Sequence, residues 1–177
     1  MKILIDNINE QMLAWESVQA KITPKKKIMT LKKILIVEDQ TDVRHIIKLA
    51  LDFDYYEIHE ASNAQMGLKM VQAIKPDLVL LDIMMPAQIE VSEPYIVNGL
   101  DLCMRLKGDP EYANMPIILL SALGQQRNKD EGLAAGADDY IIKPFSIISL
   151  INAVKLHLSK SNNRSNKVNN GNHSKNI

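Results

Sequence analysis

Four apolar runs of strand length punctuate this chain, and each ends on a chemically useful side chain. KILIVED at residues 33–39 ends in the pair Glu38-Asp39, DLVLLD at 77–82 in Asp82, MPIILLS at 115–121 in Ser121, and DDYIIK at 138–143 in Lys143. Runs this short and this uniformly apolar read as buried strands, and in an open parallel sheet the carboxyl ends of the strands converge on one crevice. An acid pair, a third acid, a hydroxyl and an ammonium would then share one edge. That constellation points to phosphoryl chemistry on Asp82.

Helical patterns fill the gaps. Strands are expected over residues 33–38, 56–61, 78–82, 116–121 and 139–143. Between them, Val43, Ile46, Ile47, Ala50 and Leu51 recur at helical spacing over 41–52, with Asp42 placed to complement the helix dipole. Ala64, Leu68 and Val71 share a face over 63–74, where Pro76 stops the helix. Further helices are expected over 99–107, ended by Gly108 and Pro110, and over 125–135, closed by Gly136. The last, 146–158, aligns Ile147, Leu150, Ile151, Val154 and Leu158. Strand and helix in alternation predict an α/β fold, a doubly wound five-stranded parallel sheet.

The zero net charge of the 177 residues hides a pattern. Residues 1–30 hold five lysines against three acids, and residues 159–177 hold four Lys/Arg and no acid, so the body between them carries a formal −6. An acidic body disfavours a nucleic-acid surface on the core and suits a cation site. The basic ends read as solubilising segments. Cys103 is the only cysteine, which excludes an intrachain disulfide, and its spacing with Leu102 and Leu106 makes it a core thiol. No apolar stretch reaches membrane-spanning length, and MKILIDNINEQ turns polar too early for a secretory signal, so a cytoplasmic protein is expected. His45, His59, His157 and His173 stand in no motif with an acid and are expected to pack or to lie on the surface.

Two carboxylates about 4 Å apart repel by roughly 4 kcal/mol at an effective dielectric of about 20. Three together must take up protons or bind a cation. Oxygen-only ligands suit Mg²⁺ or Mn²⁺, and there is no His/Cys cluster for zinc.

In their order and spacing, ILIVED, LVLLDIMMP, ILLSA and GADDYIIKPF resemble the receiver domain of bacterial two-component response regulators, over residues 31–158. The resemblance implies a flavodoxin-like sheet of order 2-1-3-4-5. It also implies roles. Asp82 matches the phosphoacceptor, which takes a phosphoryl group from the histidine of a sensor kinase or phosphotransfer protein. Glu38, Asp39 and Asp82, with the backbone carbonyl of Met84, match the Mg²⁺ ligands. Lys143 matches the lysine that pairs with a phosphoryl oxygen, and Lys143-Pro144 matches a cis peptide bond of the family. Ser121 and Tyr140 match a switch pair, in which the hydroxyl moves to the phosphoryl group and the aromatic ring turns inward, altering a surface that binds a downstream target protein. Such a protein phosphorylates and dephosphorylates itself and is not a turnover enzyme on an external substrate.

The chain departs from the family in three places. Thirteen residues, AQIEVSEPYIVNG, follow Pro86 where the family has a short turn. In this insertion near 87–98, Ile89 and Val91, then Tyr95 and Val97, alternate about Ser92-Glu93-Pro94, the pattern of a small hairpin. Residues 1–30 have no counterpart; Ile5, Ile8, Met12, Trp15 and Ile22 fit one helical face, while Met29 reads equally as a natural start. After Leu158 comes an Asn-rich polar tail, expected to be disordered, and no output domain. The expectation is therefore a stand-alone response regulator without direct DNA binding. A phosphorylation-independent binding module is the alternative. A phosphohydrolase of the haloacid-dehalogenase type is disfavoured, because it wants an acid where Met84 stands.

Overall fold

A computed structural model describes residues 31–52, 56–86, 96, 98–122, 130 and 132–170. Its elements run β1 (Lys33–Val37), α1 (Thr41–Leu51), β2 (Glu57–Ala61), α2 (Ala64–Ile74), β3 (Leu78–Asp82), α3 (Gly99–Gly108), β4 (Ile117–Ser121), β5 (Asp139–Ile142) and α4 (Ile147–Asn170). The five strands are all parallel, in the order β2-β1-β3-β4-β5. This is the doubly wound sheet that the sequence predicts.

The unbroken apolar runs have a direct cause. Successive side chains in a strand point to opposite faces, and here both faces are covered. Leu35, Val37, Val79, Leu81, Ile117 and Leu119 pack with Leu68 and Val71 of α2 and Leu102, Cys103 and Leu106 of α3. Ile34, Ile36, Leu78, Leu80, Ile118 and Leu120 pack on the other side with Ile47 and Leu51 of α1 and Leu150, Val154 and Leu158 of α4. Each such side chain contributes about 1.5–3 kcal/mol when fully buried. β3 and β4 are buried along their whole length, whereas β2 and β5 form the edges.

Local chemistry sets the helix ends. Asn63 Oδ1 accepts from the Met66 N–H at 2.7 Å, and Asn98 Oδ1 accepts from the Asp101 N–H at 3.0 Å, capping α2 and α3. Lys75, in the left-handed region at φ 48°, ends α2 before Pro76. Gly136, at φ 87°, ends a helical turn at 132–134, where Ala137 N–H donates to the Gly132 carbonyl at 3.2 Å. Residue 130 is also helical and residue 135 lies in the turn, while residues 125–129 and 131 of the helix expected over 125–135 lie outside the described residues, as do residues 1–30 and nearly all of the 87–98 insertion.

One boundary differs from expectation. α4 does not stop near Leu158 but continues through Asn170, into the segment read as a disordered tail. The segment from Ser159 is polar yet holds neither proline nor glycine before Gly171. Nothing local therefore breaks the helix where its apolar face ends.

Candidate functional site

The strand order reverses between β1 and β3: from β1 the chain passes to β2 on one side, then to β3 and onward on the other. A crevice opens at such a switch point. Register brings the expected residues to it. Val37 pairs with Leu81, so Glu38 emerges beside Asp82; Asp82 pairs with Leu120 and Ser121 with Ile142, so Ser121 and Lys143 follow on the next two strands. The Lys143 N–H donates to the Ser121 carbonyl at 2.7 Å, extending the β4–β5 ladder to the edge of the crevice.

Glu38 is fully buried and Asp82 is 2% exposed. Lys143 Nζ forms an ion pair with Glu38 Oε2 and lies 3.2 Å from Asp82 Oδ2. One lysine thus serves two buried acids. Burial pushes the Glu38 carboxyl above its ordinary value; the Lys143 hydrogen bond pulls the other way, and the Asp82 charge adds to the rise. Asp82 Oδ1 accepts from the Met84 N–H at 3.3 Å. The Met84 side chain stands at the surface.

Carboxylate oxygens of Glu38, Asp39 and Asp82 all lie within 4.8 Å of one another. Asp39 Oδ1 is buried and has no hydrogen-bond partner among the described residues. A buried carboxylate oxygen without a partner is costly. Its position in a three-acid cluster fits a hard divalent cation such as Mg²⁺ or Mn²⁺.

The main chain is equally constrained. A Cβ on Gly99 would run into the carbonyl oxygen of Asp82 and lie 3.1 Å from Ile83 Cα. Only glycine lets α3 start this close to the end of β3, and the Gly99 N–H donates to the Ile83 carbonyl at 3.2 Å.

Ser121 is fully buried at the end of β4. Tyr140 is half-buried on β5, packed against the Leu119 side of the core. The peptide Lys143-Pro144 is cis. All seven residues singled out in the sequence lie on β3, β4, β5 or immediately after β1, β3 and β5. Arg44, on α1, was not anticipated: its Nη1 donates to the carbonyl oxygens of both Glu38 and Asp39, at 2.6 and 3.0 Å. Two histidines pair with acids that sequence spacing did not reveal as partners, His157 with Asp139 at 3.0 Å and His59 with Glu57 at 2.9 Å. Both pairs lie outside the acidic cluster. Among the described residues no helix is long and apolar enough to cross a membrane.

Comparison with known proteins agrees with this architecture. A family profile for the response regulator receiver domain matches residues 34–155. The phosphate regulon transcriptional regulatory protein PhoB of Pseudomonas aeruginosa is 42% identical over 130 residues, 73% of this chain and 53% of PhoB. The DNA-binding dual master transcriptional regulator RpaA of Synechocystis is 31% identical, over 73% of this chain and 50% of its own length. The chain spans about half the length of these curated relatives. Among solved structures, a CheY-like response regulator receiver domain protein from Methanospirillum hungatei superposes with a TM-score of 0.66 at 29% identity, covering 76% of this chain and 99% of that one. The receiver domain of the Francisella response regulator 1452 does so at 0.63 and 31%, covering 73% and 98%. Receiver domains are signalling modules of two-component systems rather than turnover enzymes. With the profile spanning residues 34–155 and a relative 42% identical over 130 residues, this chain belongs to the response regulator receiver family.

Proposed function

We propose that this protein is a phospho-switch: Asp82 accepts a phosphoryl group from a histidine of a sensor kinase or phosphotransfer protein, and the change alters the binding of a downstream target protein. One observation carries the reading, the convergence of Glu38, Asp39, Asp82 and Lys143 in a single crevice with Asp82 almost fully buried. In the transfer an Asp82 carboxylate oxygen attacks phosphorus, a P–O bond forms, the P–N bond to the donor imidazole breaks, and the imidazole leaves with the electron pair. Glu38, Asp39 and Asp82, with the Met84 carbonyl, would hold Mg²⁺ or Mn²⁺, which when bound neutralises charge spread over the phosphoryl oxygens.

Lys143 already lies 3.2 Å from Asp82 Oδ2, close enough to exchange a carboxylate for a phosphoryl oxygen. The Met84 N–H on Asp82 Oδ1 fixes the rotation of the carboxylate. Ser121 ends β4, and Tyr140 lies on the adjacent edge strand β5 opposite Leu119, two positions before Ser121, which suits the pair to pass the charge change to the surface. Intact-mass measurement after incubation with acetyl phosphate tests the reading. A single phosphoryl adduct that requires both Mg²⁺ and Asp82, and is absent in Asp82→Asn, is expected. A folded wild-type protein that acquires no adduct from acetyl phosphate or from a panel of phosphohistidine donors would overturn it.

A further inference from the structure

The acid pair is held from behind. Arg44 follows it by one helical turn, with its N–H donating to the Gln40 carbonyl at 3.0 Å, and its side chain is only 14% exposed. Nη1 donates to the carbonyl oxygens of Glu38 and Asp39 at once, and Nη2 donates to Thr41 Oγ1 at 3.2 Å. Nε lies 3.6 Å from Glu60 Oε2 on β2, whose other oxygen accepts from Lys48 Nζ at 2.8 Å. Each nitrogen of the guanidinium thus has its own partner. Two consecutive carbonyls on one nitrogen curl the chain around Arg44, leaving the side chains of Glu38 and Asp39 for Lys143 and the neighbourhood of Asp82.

We propose that Arg44 is a positioning residue for the cation site: by fixing the two peptide groups after β1 it sets where the Glu38 and Asp39 carboxylates point, and it keeps two hard carbonyl oxygens from competing with them as ligands. It touches neither the cation nor the phosphoryl group. This rests on the reading of Glu38, Asp39 and Asp82 as cation ligands. Anchoring is divided around Glu38. Its N–H donates to the Ala61 carbonyl at 3.0 Å, its Oε1 accepts from the Gln40 N–H at 3.3 Å, and its Oε2 meets Lys143. Asp39 lacks that support: its Oδ1 is unpartnered among the described residues, and Arg44 on its carbonyl is the fixed contact next to it. The planar fork of an arginine is needed because the partners lie in several directions; a lysine, with one nitrogen, keeps the charge and at most part of the contacts.

The full chain with Mn²⁺ alone supplies the test, with bound metal read from the loss of the EPR signal of the free ion, without phosphorylation. Arg44→Met should weaken Mn²⁺ binding by about tenfold or more, the size of effect expected when an outer-shell partner is lost. Arg44→Lys should fall between it and the wild type. In acetyl phosphate labelling, the Mg²⁺ concentration for half-maximal rate should rise by a similar factor, while the rate at saturating Mg²⁺ returns to the wild-type value. A merely structural loss would not divide in this way. Unchanged Mn²⁺ affinity in folded Arg44→Met overturns the proposal, and so does a rate defect that saturating Mg²⁺ leaves unrepaired. Should Arg44→Met fail to fold by circular dichroism, the same comparison passes to Arg44→Lys, where unaltered affinity overturns it. A wild-type protein that binds no Mn²⁺ removes the cation reading itself, and Arg44 with it.

Discussion

Gly99→Ala adds one methyl group against the main chain of Asp82. The new atom would collide with the Asp82 carbonyl oxygen, a backbone group that cannot swing aside as a flexible side-chain tip does. Overpacking of this kind costs about 1–3 kcal/mol. If α3 retreats instead, the 3.2 Å bond from Gly99 N–H to the Ile83 carbonyl is lost, at about 1 kcal/mol. Alanine recovers about 0.5–1 kcal/mol through its better helix propensity. The net expectation is destabilisation by about 1–2 kcal/mol, a fall in Tm on the order of 5 °C for a domain of this size. Gly108, at the other end of the same helix, has nothing within 4 Å of its would-be Cβ. There the identical change should be neutral or stabilise by about 0.5 kcal/mol. Urea denaturation followed by circular dichroism, on both variants and the wild type, measures the contrast. Equal stability of the two variants would refute the argument that close approach of α3 to β3, rather than glycine content, decides the outcome.

Three other perturbations have definite signs. Lys107 Nζ binds Asp138 at 2.6 Å and the carbonyls of Ala113 and Met115 at 3.2 and 2.8 Å, at the amino edge of the sheet. Lys107→Met should cost about 2–3 kcal/mol, below the usual figure for a broken buried pair because Asp138 keeps the Ile117 N–H, yet leave phosphoryl acceptance unchanged. Melting curves and intact mass read the two halves of that expectation. The Cys103 thiol, buried and pushed up to about 11, should resist iodoacetamide at pH 8 in the native protein and react promptly in urea; quick native labelling would contradict its burial. The Glu38 carboxyl is raised above its ordinary 4.5 by burial, so the folded protein binds more protons than the unfolded one. That contribution to stability is full below 4.5 and is lost as pH rises through the raised folded value. In a chelator, melting temperature should therefore fall with rising pH in that window, and Glu38→Gln should flatten the fall; an equal slope in the two proteins would count against it.

Much of the site was legible because strands carry it. A buried strand announces itself by an unbroken apolar run, and the residue that ends the run is fixed at the rim of the sheet by register alone. Glu38, Asp82, Ser121 and Lys143 could be read in this way, and Ser121 lies where that logic puts it, buried at the end of β4. Arg44 could not. It sits on a helix whose pattern marks only its apolar positions, and its partners are carbonyl oxygens, which every residue possesses. The pairing of His157 with Asp139 was hidden for a related reason: the two are 18 positions apart and meet only once α4 packs beside β5. The far end of α4 was missed because an apolar stripe records where a helix is covered, not where it stops.

The bond from Gly99 N–H to the Ile83 carbonyl has another side. It clasps the two ends of the segment that holds the 87–98 insertion, so the chain leaves β3 and returns to α3 at almost the same point, whatever lies between. With the ends already joined, doubling the length of such a loop adds only about 0.6 kcal/mol of closure entropy. Asp82 is held by β3, which is buried on both faces, and by the Met84 N–H just after it, ahead of the insertion. A lineage can therefore lengthen and rewrite this loop beside Asp82 with little penalty to the sheet. Sequence between Ile83 and Gly99 is free to diverge while the strand ends that hold the acids stay the same.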